Sequence, residues 1–140
     1  MGLFGLNSLG LLTGIFGTCL SAAAQEASDE GAGILDPLGG RIFAQRCAAC
    51  HIDPNSQIDA PRVGPSLKGI MGRTAGDLPG FERFSPALIN SGIVWSEVEL
   101  DVYLANPRAY VPGTIMAFAG LSDETERAAV IAYLGTGSQR

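Results

Sequence analysis

Cys47-Ala48-Ala49-Cys50-His51 gathers two thiols and the chain's sole histidine within one short segment. Thiols three positions apart on one helical turn can each add to a vinyl group of the same porphyrin. The histidine that follows then reaches the iron from the same side. With 3 Cys and 1 His in 140 residues, chance would produce this pattern roughly 4 × 10⁻⁴ times per chain, so the motif is read as a covalent haem-attachment site. Structural zinc needs four soft or imidazole ligands, and only Cys19 remains outside the motif. A thioredoxin-like pair calls for a βαβ context, which the pattern lacks. One motif means one haem.

Three helices must hold such a site. Asp36 can cap the first, with Pro37 at its first position. Leu38, Ile42, Phe43 and Cys47 then share a face that ends at the attachment motif. The second starts at Ser96-Glu97-Val98-Glu99, a capping box, carries Leu100, Tyr103 and Leu104 inward, and stops at Asn106-Pro107. Ser122-Asp123-Glu124 begins the third, whose early acids suit a helix N-terminus. It turns Val130, Ile131, Tyr133 and Leu134 inward and stops at Gly135. Residues 52–95 hold many Gly and Pro with no persistent period and read as loop. The expected fold is all-α, with three main helices and long loops wrapped around one covalent haem.

A length of 140 residues allows one small domain. Aromatic content of 7% alongside 19 Gly and 8 Pro fits short helices joined by loops, and no internal repeat suggests a multihaem array. The first 24 residues carry no charged side chain. An apolar stretch from Leu9 to Leu20, followed by Ser21-Ala22-Ala23-Ala24, outlines a secretory signal peptide cleaved before Gln25. The alternative is an uncleaved anchor, since Met1 to Gln25 is long enough to span a bilayer. Thr18 before Cys19 argues against lipidation there. Residues 25–35 read as an acidic tail and 36–136 as the haem domain.

Across about 100 residues, from Asp36 to Leu134, the chain resembles a class I c-type cytochrome, of the mitochondrial type and its periplasmic bacterial relatives. Besides the attachment site, the resemblance rests on Gly39-x-x-Ile42-Phe43, Gly64-Pro65-Ser66-Leu67-Lys68-Gly69, Gly72-Arg73 and Pro79-Gly80-Phe81. It continues through Gly92-Ile93-Val94-Trp95, Tyr103-Leu104-x-Asn106-Pro107 and the run from Tyr110 to Gly120.

The resemblance implies His51 and Met116 as the axial iron ligands. Met116 follows Pro112-Gly113-Thr114, a turn that can hold a thioether against the iron. Met71, the other candidate, falls where relatives carry packed apolar residues. His/Met ligation implies a high reduction potential. By the same resemblance the Pro65 carbonyl accepts the other imidazole N–H, and the Tyr103 hydroxyl approaches the methionine sulfur. Thr114 and Trp95 donate to haem propionates, and Arg73 is a buried cation that compensates one. The chain departs from its relatives in several places. Phe84 and Leu88 stand where they carry a tyrosine and often an asparagine, removing polar groups from the propionate side. The segment from His51 to Pro65 is longer than in the mitochondrial form, and there is an additional residue between Phe81 and Phe84.

The expected function is that of a soluble, monomeric, periplasmic electron carrier between respiratory or photosynthetic membrane complexes. A quinol–cytochrome c oxidoreductase would be its donor and a terminal oxidase or another complex its acceptor. No nucleic acid and no small-molecule substrate are expected. A membrane-anchored form facing the periplasm is the alternative location. A haem peroxidase or oxidase-associated subunit is the alternative activity, but it needs an open iron position and acid–base groups above it. Ile115, Ala117 and Phe118 are expected to border the haem edge. With 9 basic against 14 acidic side chains and one lysine, Lys68, the net charge predicts slow electron transfer with an acidic oxidase, flat or rising with salt. The rival expectation is a local positive face built from Arg41, Arg46, Arg62 and Arg108.

Overall fold

The computed structural model describes residues 37–58 and 60–137, all within one unit that runs from Gly33 to Arg140. The expected cap Asp36, the signal peptide and the acidic tail lie outside the described residues. Helix α1 spans Pro37–Arg46, with proline at a position where no N–H partner is needed. Its Ile42 and Phe43 are buried, while Leu38 and Cys47 pack against the same core.

Two short helices were not anticipated. Residues Pro86–Ile89 form α2 and Pro107–Tyr110 form α4. Each opens with a cap and a proline: the Ser85 hydroxyl accepts from Leu88 N at 3.2 Å, and the Asn106 side-chain oxygen accepts from Ala109 N at 3.1 Å. Residues 52–95 are therefore not wholly loop, and Pro107 starts a helix as well as ending one. Four residues are too few to show an apolar period.

The long helix α3, Glu97–Ala105, begins as expected, with the Ser96 hydroxyl accepting from Glu99 N at 3.2 Å. The reciprocal half of the capping box is not made. Glu99 instead accepts the Tyr110 hydroxyl, tying α3 to α4. Helix α5, Glu124–Thr136, is capped by Asp123, which accepts from Glu126 N at 2.9 Å. It continues past Gly135 to Thr136 rather than stopping there.

Three helices carry the core. The first and last cross at Gly39, where an added Cβ would lie 2.8 Å from the Tyr133 Cβ; only glycine allows so close a crossing. Beside it the Phe43 and Tyr133 rings stack at 5.7 Å, and α3 packs on the other flank of α5. Loop 52–58 is fastened to the end of α5. The Tyr133 hydroxyl donates to Asp53 at 2.8 Å, and Asn55 Nδ2 donates to the Thr136 hydroxyl at 3.0 Å. Residues 72–75 run antiparallel to 93–95 through Ala75 N to Ile93 O and Trp95 N to Arg73 O, at 2.8 and 2.9 Å. Among the described residues there is no strand, only the single bridge Thr74–Val94, and no helix long and apolar enough to cross a membrane. The all-α expectation holds.

Candidate functional site

Helix α1 delivers the attachment motif directly. Cys47 N bonds to Phe43 O at 2.8 Å as a last helical turn, and His51 N then returns to Cys47 O at 2.9 Å. This turn aims Cys47, Cys50 and His51 into one cavity of about 390 Å³. Burial, reinforced by the neighbouring Cys50, pushes the Cys47 thiol up to about 11, so this sulfur is held as an uncharged thiol against apolar walls.

The His51 ring is fixed on two sides. Its Nδ1 donates to the Pro65 carbonyl at 2.8 Å, which leaves Nε2 free to serve as a ligand. Gly64 lies so close that a Cβ there would meet His51 Cε1 at 2.6 Å. Burial holds the imidazole below its ordinary 6.5, the Pro65 hydrogen bond opposes this, and nearby Arg73 adds to it. Burial thus favours the neutral ring, the form that coordinates iron. Gly64 was legible only as part of a motif; its steric role comes from the ring lying against it.

Met116 lines the same cavity from the loop after α4. The Tyr103 hydroxyl sits 3.7 Å from its sulfur and 3.1 Å from the Thr114 hydroxyl, which also lies 3.4 Å from Met116 N. Burial raises the Tyr103 phenol, with the Thr114 contact working against it; the hydroxyl therefore stays protonated as a donor. Met71 packs into the core, its Cε within 3.8 Å of where a Cβ on Gly135 would stand. It does not line the cavity.

Pro65, Arg73, Trp95, Tyr103 and Thr114 border this cavity too. All nine residues singled out from the sequence converge on it. Arg73 is half-buried rather than buried, and its two terminal nitrogens donate to Lys68 O at 3.2 Å and Ser66 O at 2.9 Å. Its carbonyl partners order the loop 66–73. The Trp95 indole stacks on Tyr103 with ring centroids 5.0 Å apart, and its N–H forms no hydrogen bond with another described residue.

Phe84 and Leu88 line the cavity as apolar wall. Ile115, Ala117 and Phe118 border it as anticipated, and so does Val63, which the sequence did not single out. Val63 and Ile115 are 69% and 67% exposed, which makes an apolar lip at the mouth. The charged residues at this cavity are Arg46, Arg73 and Arg83, with no carboxylate among its lining. Arg83 is held by Arg62 O at 2.6 Å and lies over the Phe81 ring at 5.5 Å.

These walls fit a large, flat, apolar cofactor with a metal at its centre. A neutral imidazole and a thioether reach one apolar space, two thiols stand at its edge, and an unpaired indole donor and guanidinium groups supply contacts for acidic substituents.

Comparison with known proteins points the same way. Residues 38–138 match the family model described as Cytochrome c. The chain is 44% identical over 117 residues to cytochrome c2 of Rhodomicrobium vannielii, covering 83% of this chain and 89% of that protein. It is 46% identical over 96 residues to cytochrome c type-1 of Ascaris suum, covering 69% and 82% respectively. Cytochrome c of Euglena viridis is 43% identical over 98 residues, covering 70% and 92%.

Proposed function

The chain belongs to the cytochrome c family and is a haem electron carrier, and from that premise we propose a soluble, exported, monohaem carrier with His51 and Met116 as its axial ligands. Haem c is bound covalently in this family, and Cys47 and Cys50 stand at the required spacing. When bound, it supplies a one-electron Fe(II)/Fe(III) couple.

The observation that carries the ligand assignment is that His51 and Met116 line one cavity while the imidazole's other nitrogen is spent on Pro65. Each side chain then has a task. His51 presents Nε2, with Pro65 fixing tautomer and ring angle. Met116 offers a thioether, a weak donor that favours the reduced iron, and Tyr103 holds that sulfur in place. Trp95 and Thr114 would donate to the propionates, and Arg73 would offset their charge. The apolar walls exclude water, so little solvent reorganises when an electron passes. The lip of Val63, Ile115, Ala117 and Phe118 is where a redox partner comes close. With His51 and Met116 both serving as ligands, no position would be left for a peroxide or oxygen substrate.

The proposed location is the periplasm, supported by the uncharged, apolar residues 1–24 and their A-x-A ending. There the carrier would take electrons from a quinol-oxidising membrane complex and pass them to a terminal oxidase or another acceptor.

Ligation is tested by the weak near-infrared sulfur-to-iron absorption of the oxidised protein. Met116→Ala should abolish the band and lower the potential, whereas Met71→Ala should keep both. The opposite pattern would overturn the assignment.

A further inference from the structure

Helices α3 and α5 enclose a second concave surface that electron transfer does not use. Leu100 and Tyr103 of α3 are buried and border the cofactor cavity. Val98 and Val102, one turn apart on the other side of α3, are 72% and 44% exposed. Beside them α5 presents Ala128 and Ala132, also one turn apart, with Ile131 below. The result is a groove of about 380 Å³ with a valine wall and an alanine trough. Branched valines gain nothing for an exposed helix, and small alanines leave room for a side chain from outside.

The α3 edge of the groove is acidic. Glu97 and Asp101 line it, and Asp123 and Glu124 lie close enough to act on Arg127. Arg127 pairs with Asp101 at 2.7 Å and is the basic residue set among these four carboxylates. An apolar furrow at one-turn spacing beside an acidic edge is complementary to a helix with one apolar stripe and a basic flank.

We propose that this groove seats an amphipathic helix of a partner protein, apolar along one edge and flanked by lysines or arginines. Charge selects this occupant over two others. A second copy would bring the same acidic edge against this one, from a chain of net charge −5. The chain's own N-terminal segment has no charged side chain in residues 1–24 and is acidic in 25–35. Because the groove lies on the far side of α3 from the cavity, a helix bound here leaves the mouth free. The carrier is held by its back while its electron-exchanging face stays open.

The test uses full-length, haem-loaded ferrous protein, isotopically labelled, with a synthetic leucine–lysine amphipathic helix as probe. Amide shifts should centre on residues 97–102 and 128–132, and the leucine–glutamate counterpart should not bind. Ala132→Trp fills the trough without changing charge and should weaken binding by at least about tenfold. Val98→Lys, on a highly exposed residue, should do the same and remains informative should Ala132→Trp perturb the visible spectrum. Shifts at Val63 and Ile115 instead, binding indifferent to both variants, equal binding of the glutamate peptide, or self-association through the groove would each overturn the proposal.

Discussion

Two neighbours constrain His51 at the site, and they do so by different means. Pro65 uses a hydrogen bond of 2.8 Å and Gly64 uses the absence of a side chain. Gly64→Ala should push the ring off its carbonyl, lower stability by about 1–3 kcal/mol and speed exchange of the Nδ1 proton, observable by NMR. An unchanged, slowly exchanging proton would show that the ring tolerates the methyl. Tyr103→Phe keeps the ring that packs on Trp95 but removes the hydroxyl shared by Thr114 and Met116. Its expected effect is a changed near-infrared band and potential with stability shifted by only about 1 kcal/mol; loss of folding would assign Tyr103 to packing alone. Cys47, Cys50 and His51 were legible from the chemistry of their motif, whereas Met116, Pro65, Arg73, Trp95, Tyr103 and Thr114 were legible through the resemblance to class I c-type cytochromes. Val63 was not, since a lone valine in an irregular loop carries no period, and only the folded loop brings it to the mouth.

Helix starts were easier to read than helix ends or short helices. Ser96 and Asp123 announced α3 and α5 because a capping oxygen precedes a recurring apolar face in each. Ser85-Pro86 and Asn106-Pro107 carry a cap-and-proline signal of their own, but four-residue helices offer no face to confirm it. The Asp53–Tyr133 tie was invisible, since partners 80 residues apart share no local pattern. Burial, and then the Asp53 carboxylate, raises the Tyr133 phenol, with an Asn55 contact opposing. A raised folded-state value means that the stabilisation is fully present below the ordinary tyrosine value of 10.0 and is lost as pH climbs past it. Tyr133→Phe removes a hydrogen bond that solvent screens, so it should cost no more than about 1 kcal/mol near neutrality, and the gap from the parent protein should close in alkali. Denaturant titrations at both pH values measure this; a constant gap would mean that packing, not the hydroxyl, is what the substitution removes.

At the scale of the molecule, charge is segregated. The chain's balance is −5, yet the residues bordering the cavity include three arginines and no carboxylate, while the α3–α5 groove is edged by Glu97 and Asp101. Net charge alone predicts slow exchange with an acidic oxidase, flat or rising with salt. The two exposed arginines bordering the cavity, Arg46 and Arg83, favour the opposite outcome, because steering depends on the field where partners meet. The rival positive face drew on Arg41, Arg46, Arg62 and Arg108; Arg46 is at the cavity, joined there by Arg73 and Arg83 rather than by the other three. Stopped-flow rates with an acidic oxidase should fall with ionic strength, and Arg46→Gln with Arg83→Gln should flatten the dependence. A rate that is flat or rises with salt would restore net charge as the governing quantity. Mass analysis of the purified protein should also find Gln25 at its N-terminus; Met1 retained in a membrane fraction would favour the anchor.

The crossing of α1 and α5 at Gly39 also has a consequence in time. A chain emerges from the ribosome, or through a membrane, N-terminus first. The cysteines on the end of α1 are therefore available long before Glu124–Thr136 exists to cover Phe43. Contacts so distant in sequence form late, so the thiols would be open to their cofactor before the last helix closes over Phe43. A chain that ends before Glu124 should still acquire haem but stay expanded, which absorbance and small-angle scattering would together reveal.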